Sequence, residues 1–315
     1  MDMRFLIVGA GALGGYFGGR LIDAGRDVTF LLRARRAAQI ARTGLVVRSP
    51  AGDLHIPAPA HLLSEQLAEA GPFDVVMVGC KAYDLDETME SFAAAVGPNT
   101  VILPMLNGLR HVDRLAERFG NDKVIGGLCM ISATLDADGT VLHLNDLHGL
   151  TYGERDGTMS SRIAAIEAQF KGANFNAVAS RDILQDMWEK WAFIAATAGL
   201  TSLMRASVGD IMSAGGRDIA LAIVGDCAAI AAHNGHPLRE AALQRMQTAL
   251  TAAGSPMTAS MYRDLRLGGK VEADHVVGDL LARAPQADVA APSVLRTAYV
   301  HLKAYEAQRA REAAT

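Results

Sequence analysis

An α/β domain built on a parallel sheet, followed by an all-helical domain, is the fold class that the sequence predicts. Three observations carry it. Short apolar runs alternate with helical patterns over the first part of the chain, a glycine cluster follows the first of those runs, and helical spacing rich in Ala, Leu and Met takes over from Ile183. At 315 residues the chain is longer than one ordinary domain, and the change of pattern divides it into 1–180 and 181–315.

Taken in order, RFLIVG, DVTFLL, FDVVMVG and NTVILPML have the length and composition of strands, and residues 12–25, 35–43, 85–96 and 112–119 suit helices. Such alternation makes a parallel sheet covered by helices on both faces. From 123 to 154 the pattern becomes VIGGLCMISATLDADGTVLHL and then LTYGE, with DADG as a hairpin-like turn; this predicts further strands extending the same sheet. The helical pattern that follows is broken at GLTSL, SAGGRD, HNGHP, AGSP, LGG and RAPQAD, and the polar tail EAQRAREAAT is expected to fray.

Composition excludes several classes. A formal charge of -4 leaves no electrostatic footprint for nucleic acid, and no apolar run is long enough to cross a membrane. Cys80, Cys129 and Cys227 are odd in number and far apart, so they build neither a disulfide framework nor a CxxC metal site. MDMRFLIVGAG lacks the apolar run and cleavage site of a secretory signal, and a cytoplasmic location is expected. His233 and His236 in HNGHP have no carboxylate or cysteine at ligand spacing, so a helix-ending turn is expected there and no metal.

The glycine cluster is Gly9, Ala10, Gly11, Ala12, Leu13 and Gly14, a GxGxxG that leaves a strand and opens a helix. Gly9 permits the tight turn, Gly11 lets a pyrophosphate approach the backbone, and Gly14 lets helix and strand pack closely. This is the signature of a Rossmann-type dinucleotide-binding domain. At the end of the second strand, where an acidic residue would read the 2'-OH of NAD, the chain has Arg33, with Arg35 and Arg36 nearby. A guanidinium there pairs with a 2'-phosphate, so NADP is the expected cofactor. Lys81 and Asn107 occupy the carboxyl ends of two later strands, where chemistry sits in an open α/β sheet; each also reads as an ordinary loop residue.

In DMWEKWAFIAATAGLT, Lys190 lies between the two tryptophans, at the edge of a helical apolar arc that includes Trp188, Trp191 and Ala198. It reads either as a lysine lying along apolar surface with its ammonium in water, or as a partly desolvated proton donor at the domain junction.

Together these segments resemble the ketopantoate reductase family of NADP-dependent 2-oxo acid reductases, which have a Rossmann domain and a C-terminal helical domain. The resemblance is carried by GAGALGG, Arg33, VGCKAYD with Lys81, LNG with Asn107, DMWEKW with Lys190, and SMYRDLR and EAD with Ser260 and Glu272. It implies that Lys190 is the general acid, that Glu272 hydrogen-bonds substrate and orients the lysine, and that Ser260 contacts the substrate carboxylate. It also implies that Asn107 and Lys81 lie by the nicotinamide and the reacting carbonyl, and that cofactor contacts come from Gly9, Gly11, Ala12, Leu13, Gly14, Arg33, Lys81, Asn107 and Glu272. Three positions depart from the family pattern: Ile194 and Ala198 stand where asparagines follow the lysine by four and eight residues, and Val277 stands where an asparagine precedes Gly278. Apolar groups there disfavour a hydroxylated substrate, whose polar groups would lose partners. The readings left open are reduction of ketopantoate in pantothenate synthesis, the same chemistry on a more apolar 2-oxo acid, and a non-catalytic NADP-responsive binding protein. The long apolar helices of the second domain point to a homodimer.

Overall fold

The computed structural model describes residues 3–286 and 291–313. Its chain divides into two compact units, one formed by 1–106 and 111–184, the other by 107–110 and 185–315.

The first unit opens with β1 (Arg4–Val8), α1 (Ala12–Asp23), β2 (Asp27–Leu31) and α2 (Ala34–Thr43), followed by the short strands β3 (Leu45–Arg48), β4 (Leu54–Ile56) and β5 (His61–Leu62). It continues through α3 (Leu67–Ala70), β6 (Val75–Val78), α4 (Leu85–Phe92), β7 (Val101–Pro104) and α5 (Arg110–Phe119, whose first residue falls in the second unit). One sheet has the order β5-β2-β1-β6-β7, and every pair in it is parallel. The strands read as continuous apolar runs because both faces of the sheet are covered: successive residues Phe5, Leu6 and Ile7 point to alternate faces and are all completely buried.

The strands of 123–154 do not extend that sheet. They are β8 (Gly126–Leu135) and β9 (Val141–Gly153), an antiparallel pair whose turn is DADG, with Gly139 at φ 81. Through β9 they join a second sheet of order β10-β9-β3-β4 that includes β10 (Asn176–Ala179), reached through α6 (Ser161–Phe170). Close approach of α1 to both sheets explains its extra glycines: a Cβ on Gly15 would lie 2.8 Å from Val141 of β9, and one on Gly18 would lie 2.7 Å from the Phe30 ring of β2. A glycine-rich helix is therefore clamped between the two sheets, with Tyr16 and Phe17 filling the core around it.

The second unit is helical: α7 (Ile183–Met204, whose first two residues fall in the first unit), α8 (Val208–Ser213), α9 (Arg217–His233), α10 (Glu240–Leu250), α11 (Ser260–Arg266), α12 (Asp279–Ala282) and α13 (Val294–Ala313). GLTSL is not a break, because α7 runs through it. Gly199 acts as a packing residue: a Cβ there would meet Ile223 at 2.7 Å and Ala298 at 3.3 Å, so its absence lets α9 and α13 close on α7. The buried Thr197 and Thr201 hydroxyls bond back to the carbonyls of Phe193 and Thr197, which satisfies them inside the helix. The tail likewise stays helical to Ala313, and the last two residues of RAPQAD, with Met1 and Asp2, lie outside the described residues. HNGHP is the end of α9, with Gly235 at φ 82. Among the described residues no helix is long and apolar enough to cross a membrane.

Candidate active site

The glycine turn has the geometry its spacing demands. Gly9 sits at φ 86, a conformation that side chains disfavour, and a Cβ on Gly14 would overlap the Gly9 carbonyl oxygen. Gly11 is different: it is the N-cap of α1 at φ -79, and a Cβ on it would meet nothing within 4 Å. Neither strain nor crowding requires a glycine there. Open space over Gly11, with no side-chain cap and no acidic residue in the first turn of α1, leaves backbone amides able to receive a pyrophosphate. Ala12 and Leu13 form that first turn. The residues present thus fit a dinucleotide.

Arg33 is the N-cap residue of α2, in extended conformation at the exit of β2. Its guanidinium is well exposed and faces two carboxylates, Nη1 to Asp84 at 3.7 Å and Nη2 to Glu87 at 3.2 Å. Arg35 is exposed. Arg36 lies against the glycine turn, donating from Nε to the Ala10 carbonyl at 3.0 Å and from Nη1 to Gln39 at 2.7 Å, and burial lowers its pKa against the support of Asp136. Lys81, half-buried and extended at φ -72, ends the β6 exit and precedes a short turn that leads through Asp84 into α4.

Asn107 follows β7, and by its contacts residues 107–110 belong to the helical unit. The anchor is His275. Gly108, at φ 84, packs so closely that a Cβ would lie 3.2 Å from Nε2 and from the carbonyl oxygen of that histidine. The imidazole is buried and also bonds the Asn107 backbone. Burial pushes its pKa below the usual histidine range, helped by Arg110, while Glu272, the Asn107 bond and Asp279 oppose that shift. His275 thus brings Asn107 and Glu272 to one place. Nothing in the sequence singled it out, since its partner is 168 residues away along the chain.

His275 stands in a π-helical turn, Asp274–Gly278, that leads into α12. Such turns widen a helix locally and are frequent at functional sites. Glu272, half-buried, precedes it, and its backbone carbonyl accepts from the Val276 amide at 3.0 Å. The Val276 carbonyl in turn accepts from Trp191 Nε1 at 2.8 Å. Trp191 is completely buried, its ring is 5.1 Å from that of Trp188, and Arg283 lies 5.4 Å from its centroid. This bond seats the turn of α7 that carries Lys190, itself half-buried, against the segment that carries Glu272.

Farther along α7, Thr201 Oγ1 accepts from the Ala259 amide at 3.3 Å, next to Ser260. Ser260 is exposed and is the first residue of α11, whose N-cap is Ala259. From Lys190 to Thr201 the helix rises roughly 16 Å, at about 1.5 Å per residue. The row Lys190, Ile194, Ala198 shares a face over that span. Ile194 is half-buried, and Ala198 and Val277 are buried. His236 stacks on Trp188 at 5.3 Å and bonds Gln185.

Models of the two domains of the PanE/ApbA ketopantoate reductases match residues 5–157 and, for the C-terminal domain, 182–306. The chain belongs to the ketopantoate reductase family. It is 39% identical, over 98% of its length and 100% of the relative's, to YkpB of Bacillus subtilis (strain 168), an uncharacterized oxidoreductase. With a 2-dehydropantoate 2-reductase of a Nostoc species it shares 26% identity, over 93% of this chain and 92% of the relative. The crystal structure of 2-dehydropantoate 2-reductase from Methylococcus capsulatus superposes with a TM-score of 0.85 at 27% identity, covering 98% of both chains. As a ketopantoate reductase family member, the chain is an oxidoreductase acting on a CH-OH/ketone pair with an NAD(P)H cofactor.

Proposed function

We propose that the protein reduces a small 2-oxo acid to the 2-hydroxy acid with NADPH, with Lys190 as proton donor. The observation that carries this reading is the Trp191 to Val276 hydrogen bond, which sets the Lys190 turn of α7 beside the Glu272 segment. When bound, NADPH supplies the hydride that reduces C2. Lys190 donates the proton taken up by the carbonyl oxygen, where charge develops during reduction. Glu272 orients the ammonium and hydrogen-bonds the substrate, and a carboxylate is the partner that a desolvated ammonium needs. Ser260 binds the substrate carboxylate at the other end of the α7 row. Asn107, with its carbonyl side held by His275, and Lys81 are assigned beside the nicotinamide and the reacting carbonyl. Gly9, Gly11, Ala12, Leu13 and Gly14 hold the pyrophosphate, and Arg33 reads the 2'-phosphate.

The row between Lys190 and Ser260 is lined by Ile194 and Ala198, with Val277 buried on the Glu272 side. Asparagines absent from these positions leave nothing there to pair with substrate hydroxyls, which favours a 2-oxo acid with an apolar tail over ketopantoate. A cytoplasmic homodimer is the assembly proposed.

Following NADPH oxidation with a panel of 2-oxo acids, ketopantoate included, tests this directly. Turnover should be greatest for apolar tails and should fall at least a hundredfold in Lys190→Ala, mostly in kcat. Efficient ketopantoate turnover would remove the altered substrate, and full activity in Lys190→Ala would remove the proton donor. Tight NADP+ binding with no turnover of any acid would favour the binding-protein reading.

A further inference from the structure

We propose that Asp84 and Glu87 set the cofactor preference by competing with the adenosine 2'-phosphate for Arg33, so that the ribose subsite admits NADH as well as NADPH. The inference rests on the reading of Arg33 as the residue that faces the ribose.

Sheet order places these three groups. β2 and β6 flank β1, and β1 carries the glycine turn. Arg33 leaves the end of β2, while Asp84 and Glu87 follow the end of β6, as the N-cap and third residue of α4. The ion pairs at 3.7 Å and 3.2 Å therefore join the two strand exits on either side of the dinucleotide turn. Side-chain exposures of 64% for Arg33, 32% for Asp84 and 74% for Glu87 mark the pairs as surface contacts, too weak to fix the guanidinium.

One guanidinium facing two carboxylates gives these three groups a net charge of -1. Arg33 offers its fork either to these carboxylates or to a phosphate. A 2'-phosphate must draw Arg33 away and then faces two negative charges; a separation of about 5 Å would cost roughly fourfold in affinity for each at physiological salt. A ribose 2'-OH meets no such repulsion, because it can donate to a carboxylate while Arg33 stays paired. The acidic pair thus offsets the preference that Arg33 alone would give.

Calorimetric titration of the full chain with NADP+ and with NAD+ tests this in the wild type, Arg33→Ala, Asp84→Asn, Glu87→Gln and the double variant Asp84→Asn/Glu87→Gln. Each single neutralisation should tighten NADP+ about fourfold and the double more than tenfold, with NAD+ unchanged or weakened up to about threefold. These gains should shrink in 0.5 M NaCl, about as the Debye length falls. Glu87→Gln, at a well-exposed site, keeps the test open if Asp84→Asn disturbs its turn. An NADP+/NAD+ ratio that stays within about twofold of wild type in the variants overturns the inference while the Arg33 reading stands. Equal loss of both dinucleotides in Arg33→Ala overturns that reading, and the inference with it.

Discussion

Trp191 is the largest completely buried side chain, and its one polar atom is given to the carbonyl of Val276. Trp191→Phe keeps most of the ring and leaves that carbonyl without its donor, which should cost about 1 to 3 kcal/mol in urea unfolding. Because the bond seats the Lys190 turn, kcat should fall more than KM changes. A loss of stability with unchanged kcat would make the bond structural only. Sequence spacing placed Trp191 in the buried arc of its helix but gave no hint of this partner, 85 residues downstream. His275, Asp84 and Glu87 were hidden for the same reason: each acts on a residue distant in sequence, and no periodicity records such a pair. The acidic run in KAYDLDE, set against the basic run RARR, was the one signal available for the latter two.

At the scale of the element, the glycine turn separates folding from binding. Gly14→Ala drives a methyl into the Gly9 carbonyl and should destabilise by about 3 kcal/mol or prevent folding. Gly11→Ala meets no protein atom, so its thermal midpoint should stay within a few degrees of wild type while NADP+ affinity drops tenfold or more. Unchanged affinity in Gly11→Ala would detach the pyrophosphate from this turn. The turn was legible because its glycines obey a local geometric rule. The second sheet was not, since β3, β4 and β10 are three or four residues long, and β3 and β10 depend on β9 for their pairing while β4 depends on β3. α7 was legible up to Gly199, where local propensity indicates a break and close helix packing overrides it.

For the whole molecule, the shifted carboxylates and histidines act in one direction with pH. Hydrogen bonds from Arg162 hold Glu154 below the usual carboxylate range, and Arg239 does the same for Glu189 although burial pushes that group up. Carboxylates lowered on folding stabilise fully above their unfolded values near 4, and that contribution is lost as pH falls through the folded ones. Burial lowers His148, His236 and His275, so the unfolded chain binds more protons just below about pH 6.5, and stability declines there too. Thermal midpoints should be flat near pH 7 to 8, fall gently below 6.5 and steeply below 4. In Glu154→Gln the steep limb should flatten, with a loss of about 2 kcal/mol at pH 7. An acid limb of the same slope in that variant would refute this assignment.

The chain passes between the two units three times, after Leu106, after Arg110 and after Leu184. Modular exchange between relatives therefore cannot be made with a single splice. A chimera that takes residues 185–315 from another family member would pair a foreign residue at position 275 with the resident Asn107 and Gly108, whose fit to His275 has no slack. The tetrapeptide Asn107–Arg110 has to travel with the helical half, and a library that recombines substrate preferences across this family needs three crossovers to keep its parts matched.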